Sequence, residues 1–138
     1  MKRKQILPIK NTLLEIHSEN LLTCTGYGTL RKSKDVVFHP KAQLIIRSFP
    51  KSVRIDLGEA LTDLQLGHTL GMPLARAMPS VSLGVFELRL KDRSGIYRVF
   101  YFLKASDKIL VFHAFQKKTQ KTPLAEIRLA QRRLKEVL

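Results

Sequence analysis

The region from Val85 to Phe115 constrains the fold most, because its apolar residues recur with a period of two. It contains three runs of strand length: Val85–Lys91, Ile96–Leu103 and Ile109–Phe115. Only the short segments Asp92–Gly95 and Ala105–Lys108 separate them, and such short connections join antiparallel strands. The sequence therefore predicts two consecutive β-hairpins.

Helical signals lie on both sides of these hairpins. Before them, Asp35–His39 is predicted to be a short strand, and Pro40 suits the first position of a helix over residues 40–49. Ser52 is a good N-cap for a second helix, Val53–Leu66, and we interpret the two helices as a helical hairpin. The Gly- and Pro-containing stretch from His68 to Leu83 is predicted to be a loop.

A last helix is predicted after the third strand. Thr122 can cap it, with Pro123 at its first position and Glu126 in its first turn. The predicted class is α+β, a small antiparallel sheet with an N-terminal helical hairpin and a C-terminal helix, all packed on one face. We expect residues 35–138 to form this domain and residues 1–34, with a short helix at Asn11–Glu19, to be an extension of unknown role.

The balance of charge limits the partners of this chain. Lys and Arg number 25 against 11 Asp and Glu, a net charge of +14 over 138 residues. Such an excess favours polyanions, so nucleic acid, the ribosome or an acidic protein are the natural partners. Cys24 is the single cysteine, which fits a reducing cytoplasm. No signal peptide and no membrane-spanning run is recognised.

A basic loop follows the third strand. His113–Pro123 leads from the strand into the last helix and carries three lysines, Lys117, Lys118 and Lys121. Buried lysines need acidic partners, which are scarce in this chain, so the loop is expected to be exposed. A strand, a basic loop and a helix in succession can hold cations close to a phosphate.

The two hairpins also predict a register. Lys91 opposite Ile96 places Arg89 opposite Arg98, and the second hairpin places Arg98 opposite Phe115 and Phe100 opposite His113. Two arginines that face each other repel, so one interpretation puts a phosphate between them. The other interpretation pairs Glu87 diagonally with one arginine, which leaves a solvated strand face.

His113 is a second candidate on this face. A histidine that titrates near neutrality can act as an acid or base, although a histidine among aromatic residues is more often part of the core. The other histidines and Cys24 show no metal-ligand spacing, so no metal site is predicted.

Four motifs carry a family resemblance: Leu70–Pro73, Phe86–Arg89, Gly95–Tyr101 and His113–Pro123. In their order and spacing they resemble the phage-derived, HigB-type branch of the RelE/ParE toxin superfamily. The likeness runs from about Asp35 to the C-terminus. It implies a RelE-like fold and the toxin half of a type II toxin–antitoxin pair.

The resemblance further implies a ribosome-dependent mRNA endonuclease that needs no cofactor. The RNA 2′-hydroxyl attacks the adjacent phosphate while basic side chains stabilise the charge. The catalytic residues implied are Arg89, Arg98, His113, Lys117 and Lys118, and Lys91, Arg93 and Lys121 are expected to bind RNA. The chain departs from RelE in having Glu87 where RelE has a second strand lysine, and Pro123 near a late tyrosine.

Two alternative functions stay open. A ParE-like toxin would have the same fold and inhibit DNA gyrase by binding, without phosphate chemistry. A non-catalytic nucleic-acid-binding protein is the third hypothesis, although no helix-turn-helix or zinc-finger pattern is recognised. The expected partners are the ribosome, mRNA and a cognate antitoxin, of the HigA-like helix-turn-helix type in HigB-type systems.

Overall fold

The computed structural model describes residues 7–8, 33–104 and 107–138, and this part of the chain folds into an α+β domain. Its strands are β1 (Leu7–Pro8), β2 (Asp35–Phe38), β3 (Ala75–Ala77), β4 (Val85–Asp92), β5 (Gly95–Lys104) and β6 (Lys108–Lys117). Its helices are α1 (Pro40–Arg47), α2 (Lys51–Gln65) and α3 (Leu124–Val137). The predicted helix Asn11–Glu19 lies outside the described residues.

The strands form one mixed sheet in the order β1-β2-β6-β5-β4-β3. The predicted hairpins β4–β5 and β5–β6 are confirmed, but β2 lies parallel to β6, with Val36 opposite Ile109. The prediction of a wholly antiparallel sheet was therefore wrong. Parallel neighbours need a long crossover connection, and α1, α2 and the first hairpin together supply it between β2 and β6.

The two edges of the sheet come from segments that sequence patterning did not identify as strands. Residues 75–77, within the predicted loop, form β3, in which Arg76 lies opposite Glu87 of β4. At the other edge, the two-residue β1 from the predicted extension pairs with β2. Strands this short carry too few residues for a period of two to be recognised.

Helices cover both faces of the sheet, so the prediction of a single helical face was wrong. One apolar core joins α1 and α2 to one face and includes Leu61, Leu88 and Val99. A second core lies under α3 and includes Phe100 and Leu134. Neighbouring strand residues point to opposite faces, and Val99 and Phe100 are both fully buried.

The structure does not confirm the N-terminal helical hairpin. Both helices begin and end close to the predicted residues, but α1 packs mainly on β6 and α2 mainly on β4, so each packs on the sheet. Ser52 does not cap α2, since the N-cap position is held by Pro50. The Ser52 hydroxyl instead donates to Asp92 Oδ2 at 2.9 Å, joining α2 to the end of β4.

The predicted register is confirmed at the centre of the sheet. Arg89 lies opposite Arg98, Arg98 opposite Phe115, and Phe100 opposite His113. A β-bulge at Phe112 then shifts the pairing by one residue, so that Lys104 lies opposite Lys108. The prediction that Lys108 belongs to the turn was therefore wrong, since it begins β6.

Candidate phosphate-binding cleft

Two arginines lie opposite each other on β4 and β5, on the same face of the sheet as α3. Arg98 is buried, with 5% of its surface exposed, and Arg89 beside it on β4 is half-buried. Burial lowers the pKa of the Arg98 guanidinium, and the neighbouring Arg89 and Arg76 lower it further. Like charges held this close destabilise a sheet unless an anion compensates them.

Glu87 supplies part of that compensation. Its carboxylate is fully buried, and Oε1 accepts a hydrogen bond from Nη2 of Arg76 at 3.2 Å and lies 3.6 Å from Nε of Arg98. The diagonal pairing with an arginine, which the sequence left open, is therefore present. Thr122 donates its hydroxyl proton to Oε2 at 3.2 Å, so one carboxylate joins β3, β5 and the segment that precedes α3.

The two arginines keep unused donors beside this carboxylate. Within the described part of the chain, Nε of Arg89 and Nε of Arg98 are buried and have no hydrogen-bond acceptor. Arg98 directs Nη1 to the Tyr97 carbonyl at 3.2 Å, and Nη1 of Arg89 has only the weak acceptor Sδ of Met72, at 3.6 Å. Buried N–H groups without acceptors are costly, and for Arg98 the Glu87 carboxylate, 3.6 Å from Nε, offsets part of this cost.

A cleft of about 380 Å³ opens on this face and is called the basic cleft below. Residues that line it include Arg76, Met78, Arg89, Lys117, Lys121 and Ile127. Burial lowers the pKa of the Lys117 ammonium, and the neighbouring Arg98 adds to the effect against the opposing influence of Glu87. The cleft thus brings four cations together and suits a polyanion.

A cavity of about 450 Å³ adjoins the basic cleft at Arg89, which lines both. It is called the apolar cavity below, and it is lined by Pro73, Leu74, Leu90 and Ile96 together with Arg89, Lys91 and Arg98. The short β3 pairs with β4 only as far as Leu88. Among the described residues, the backbone of β4 then makes one further hydrogen bond on that side, from Arg89 N–H to the Leu74 carbonyl at 2.7 Å.

The structure divides the basic residues that the sequence singled out. Lys117 and Lys121 line the basic cleft with Arg89, and Lys91 lines the apolar cavity. Lys118 and Arg93 are exposed and belong to neither lining. The predicted basic loop is therefore only partly directed into the cleft.

His113 shares the sheet face but lies beneath α3, away from both linings. It is 1% exposed, and its Nδ1 accepts a hydrogen bond from Nη1 of Arg133 at 2.8 Å. Because arginine only donates, the neutral ring carries its proton on Nε2, which donates to Glu126 Oε1 at 2.8 Å. Burial above all, and then the charge of Arg133, lowers the pKa of His113 to about 3.

A second histidine fastens the other end of α3. His39 Nδ1 accepts from the Lys41 N–H at the start of α1, and its Nε2 donates to Glu136 of α3. The two histidine–glutamate pairs therefore hold α3 on the sheet at both ends. Such contacts fix the helix and, with it, the Thr122 hydroxyl that reaches Glu87.

Sequence reasoning missed Arg76 and the structural role of Thr122. Arg76 lay in the predicted loop, and its only signal was the alternation in Ala75-Arg-Ala77. Thr122 was predicted to cap the last helix, but Pro123 holds the N-cap position and the helix begins at Leu124. Both residues are defined by their contact with Glu87, which no local pattern shows.

Among the described residues, no three His, Cys, Asp or Glu side chains come close enough together to hold a metal ion. In the same part of the chain, every helix is too short or too polar to cross a membrane.

The fold and the cleft define a small, basic α+β protein with a cleft lined by four cationic side chains. Residues 45–135 match the family described as phage-derived protein Gp49-like (DUF891), and the chain belongs to this family. The family is one of toxins from toxin–antitoxin systems, is related to the RelE/ParE-like toxins, and typically pairs with an antitoxin. No curated protein matches the sequence. The match includes every described residue of the basic cleft.

Proposed function

We propose that this protein is a HigB-type toxin that cleaves mRNA on the ribosome, in the cytoplasm. The observation that carries the proposal is the pair Arg89 and Arg98, which lie opposite each other on β4 and β5, with Arg89 in the lining of the basic cleft. A phosphodiester placed there would receive charge-assisted hydrogen bonds from both guanidinium groups. A fixed charge and a planar fork of donors suit arginine to this task.

The reaction uses a nucleophile that the RNA supplies. The 2′-oxygen bonds to the adjacent phosphorus, the bond from phosphorus to the 5′-oxygen breaks, and a 2′,3′-cyclic phosphate and a 5′-hydroxyl result. The 2′-hydroxyl releases its proton to solvent, and the departing 5′-oxygen takes one up. Arg89 and Arg98 stabilise the negative charge that develops on the phosphate oxygens, so no step requires a cofactor.

Lys117 is the proposed general acid. It lines the basic cleft, and its lowered pKa makes its ammonium a stronger acid than that of an ordinary lysine. It would protonate the departing 5′-oxygen. Arginine at this position would keep the charge but exchange no proton, because its pKa is too high.

The other basic residues receive binding or positioning roles in this proposal. Arg76 and Lys121 line the basic cleft and would hold the neighbouring phosphates, with the exposed Lys91, Arg93 and Lys118 further along the RNA or on the ribosome. His113 would be a positioning residue, because both of its ring nitrogens are engaged under α3.

The partner that restrains the toxin would be an antitoxin with an acidic segment. The four cations of the basic cleft offer such a segment a charge-steered contact. Binding there would cover Arg89 and Lys117 and so block RNA. In HigB-type pairs we expect this antitoxin to be a helix-turn-helix protein.

The proposal predicts a loss of cleavage in Arg89→Ala and in Lys117→Ala. Each removes one group that stabilises the transition state, so cleavage should fall about 100-fold for each variant. The measurement is a bacterial cell-free translation reaction in which message 5′ ends are mapped by primer extension. Cuts inside translated codons should appear with the original protein and require ribosomes.

Two matched controls distinguish the loss of a cleft residue from a general loss of positive charge. Arg54→Ala on α2 and Lys108→Ala at the opposite end of β6 each remove an exposed cation outside both cavities, and both should leave cleavage unchanged.

Lys117→Arg should retain RNA binding and lose cleavage if Lys117 transfers a proton. Full cleavage by the folded Arg89→Ala protein would contradict the proposal. Intact messages with DNA-damage signalling in cells would indicate gyrase inhibition instead.

A further inference from the structure

We infer that the apolar cavity is a binding site for a single unpaired RNA base, next to the phosphate held in the basic cleft. This inference deepens the proposed function and rests on it. The site would hold the base of one nucleotide while Arg89, which lines both cavities, holds its phosphate. It would give the protein contact with the bases as well as with the backbone of the message.

The lining of the cavity matches the chemistry of a nucleotide. Pro73, Leu74 and Ile96 supply apolar surface, whereas the charged residues of the described lining are cations, Arg89, Lys91 and Arg98. A nucleotide likewise has a flat, weakly polar base at one end and an anion at the other. The volume, about 450 Å³, falls in the usual range for small-ligand sites.

The position of Arg89 makes the two cavities one binding surface. Arg89 belongs to the lining of both, and within the described part of the chain its Nε is buried without a hydrogen-bond acceptor. A phosphate bound to Arg89 would leave its own base beside the apolar lining. The guanidinium planes of Arg89 and Arg98 and the aliphatic side chains give a base surfaces to stack on, as single-stranded RNA requires.

The charges favour RNA over a peptide as the occupant. Among the described residues, no acidic side chain lines the apolar cavity, and three cations border its apolar part. A base in a double helix cannot enter, because its faces are stacked, so the occupant must be unpaired. Ile96 is the best residue to test, since it is 42% exposed and lies at the start of β5, outside both cores.

The test measures binding of a short, labelled, single-stranded RNA by fluorescence anisotropy at low salt. One RNA carries all its bases, and a second lacks the central base. Both carry a 2′-deoxy sugar at that nucleotide, which removes the attacking hydroxyl. Ile96→Ser should weaken binding of the intact RNA about fivefold, since part of an apolar contact is lost. It should leave binding of the abasic RNA unchanged.

Two further variants exclude effects of misfolding. Ile55→Ser changes the same residue type at 40% exposure on α2, away from both cavities, and should alter neither affinity. Ile96→Phe offers a larger stacking surface and should bind the intact RNA more tightly without a change for the abasic RNA. A gain of this kind cannot come from damage to the fold.

Each other outcome overturns the inference. Equal losses for the intact and abasic RNA in Ile96→Ser would mean that Ile96 acts on the backbone or the fold. An unchanged affinity of Ile96→Ser for the intact RNA would show that the cavity does not bind an RNA base. Cleavage in translation reactions is measured separately. If cleavage depends on Arg89 but Ile96→Ser does not change RNA binding, the base site alone is overturned and the proposed function remains. If the original protein neither binds RNA nor cleaves messages, both the base site and the proposed function are overturned.

Discussion

Arg98→Ala is expected to lower cleavage at least about 100-fold and to lower the free energy of unfolding by about 3 kcal/mol. The loss of stability follows from Glu87, whose fully buried carboxylate would keep only Arg76 and Thr122 as partners. Removing one side of a buried pair leaves an uncompensated charge in a medium of low polarity. Denaturant unfolding and primer-extension mapping measure the two effects on the same protein.

A second substitution, at Glu87, distinguishes the effect of Arg98→Ala on the free energy of unfolding from its effect on cleavage. Glu87→Gln placed in the Arg98→Ala protein removes the uncompensated charge while keeping an amide that can accept from Thr122. Most of the lost stability should return, and cleavage should stay absent because the Arg98 guanidinium is still missing. Recovery of cleavage in the double variant would show that Arg98 acts only through the fold. Arg54→Ala, with an exposed cation on α2, is the control for both measurements.

The second large effect concerns pH and His113. Below a pH of about 6.5 the free energy of unfolding should fall, with a slope that approaches about 1.4 kcal/mol per pH unit. In the folded chain the pKa of His113 is about 3, against 6.5 for an ordinary histidine. Between about pH 3 and pH 6.5, His113 is protonated in the unfolded chain but stays neutral in the folded chain, so lowering the pH favours unfolding. Protonation would also remove the acceptor for Arg133.

The groups around His113 determine how this effect is measured. Burial raises the pKa of the Glu126 carboxyl, which contributes with the opposite sign at lower pH. Denaturant unfolding should therefore be compared between about pH 7 and pH 5.5, above the range in which carboxylates dominate. His113→Gln keeps a donor and an acceptor but does not titrate, so its stability should change less with pH. The exposed His68 gives the control His68→Gln, and an unchanged slope in His113→Gln would contradict the assignment.

The register across the central hairpins followed from the sequence alone. The period of two and the position of Gly95 placed Arg89 opposite Arg98, and the structure has that pairing. This was possible because a hairpin is a local structure in which the turn determines which residues face each other. The α+β class and the order of the longer elements, without the short strands β1 and β3, followed from equally local signals. These signals are apolar periodicity and Pro123 before the last helix.

Sequence reasoning failed where a feature depends on residues far apart in the chain. The parallel pairing of β2 with β6 and the placement of helices on both faces are long-range packing results that local patterns do not encode. The same holds for Arg76, which joins the basic cleft only because the short β3 adds to the edge of β4. A two- or three-residue strand has no periodicity of its own and is formed by its neighbour.

The sequence by itself determined which residue types share the α3 face. They are two arginines that lie opposite each other, a histidine opposite Phe100, and lysines after the end of the third predicted strand. Only the tertiary structure decided how those groups behave. Burial under α3 makes His113 a neutral, doubly bonded residue, and the buried Glu87 joins three distant segments around the arginines. The physical reason is that a side chain's charge and hydrogen bonds depend on its solvent exposure and on its neighbours in space, which long-range packing sets.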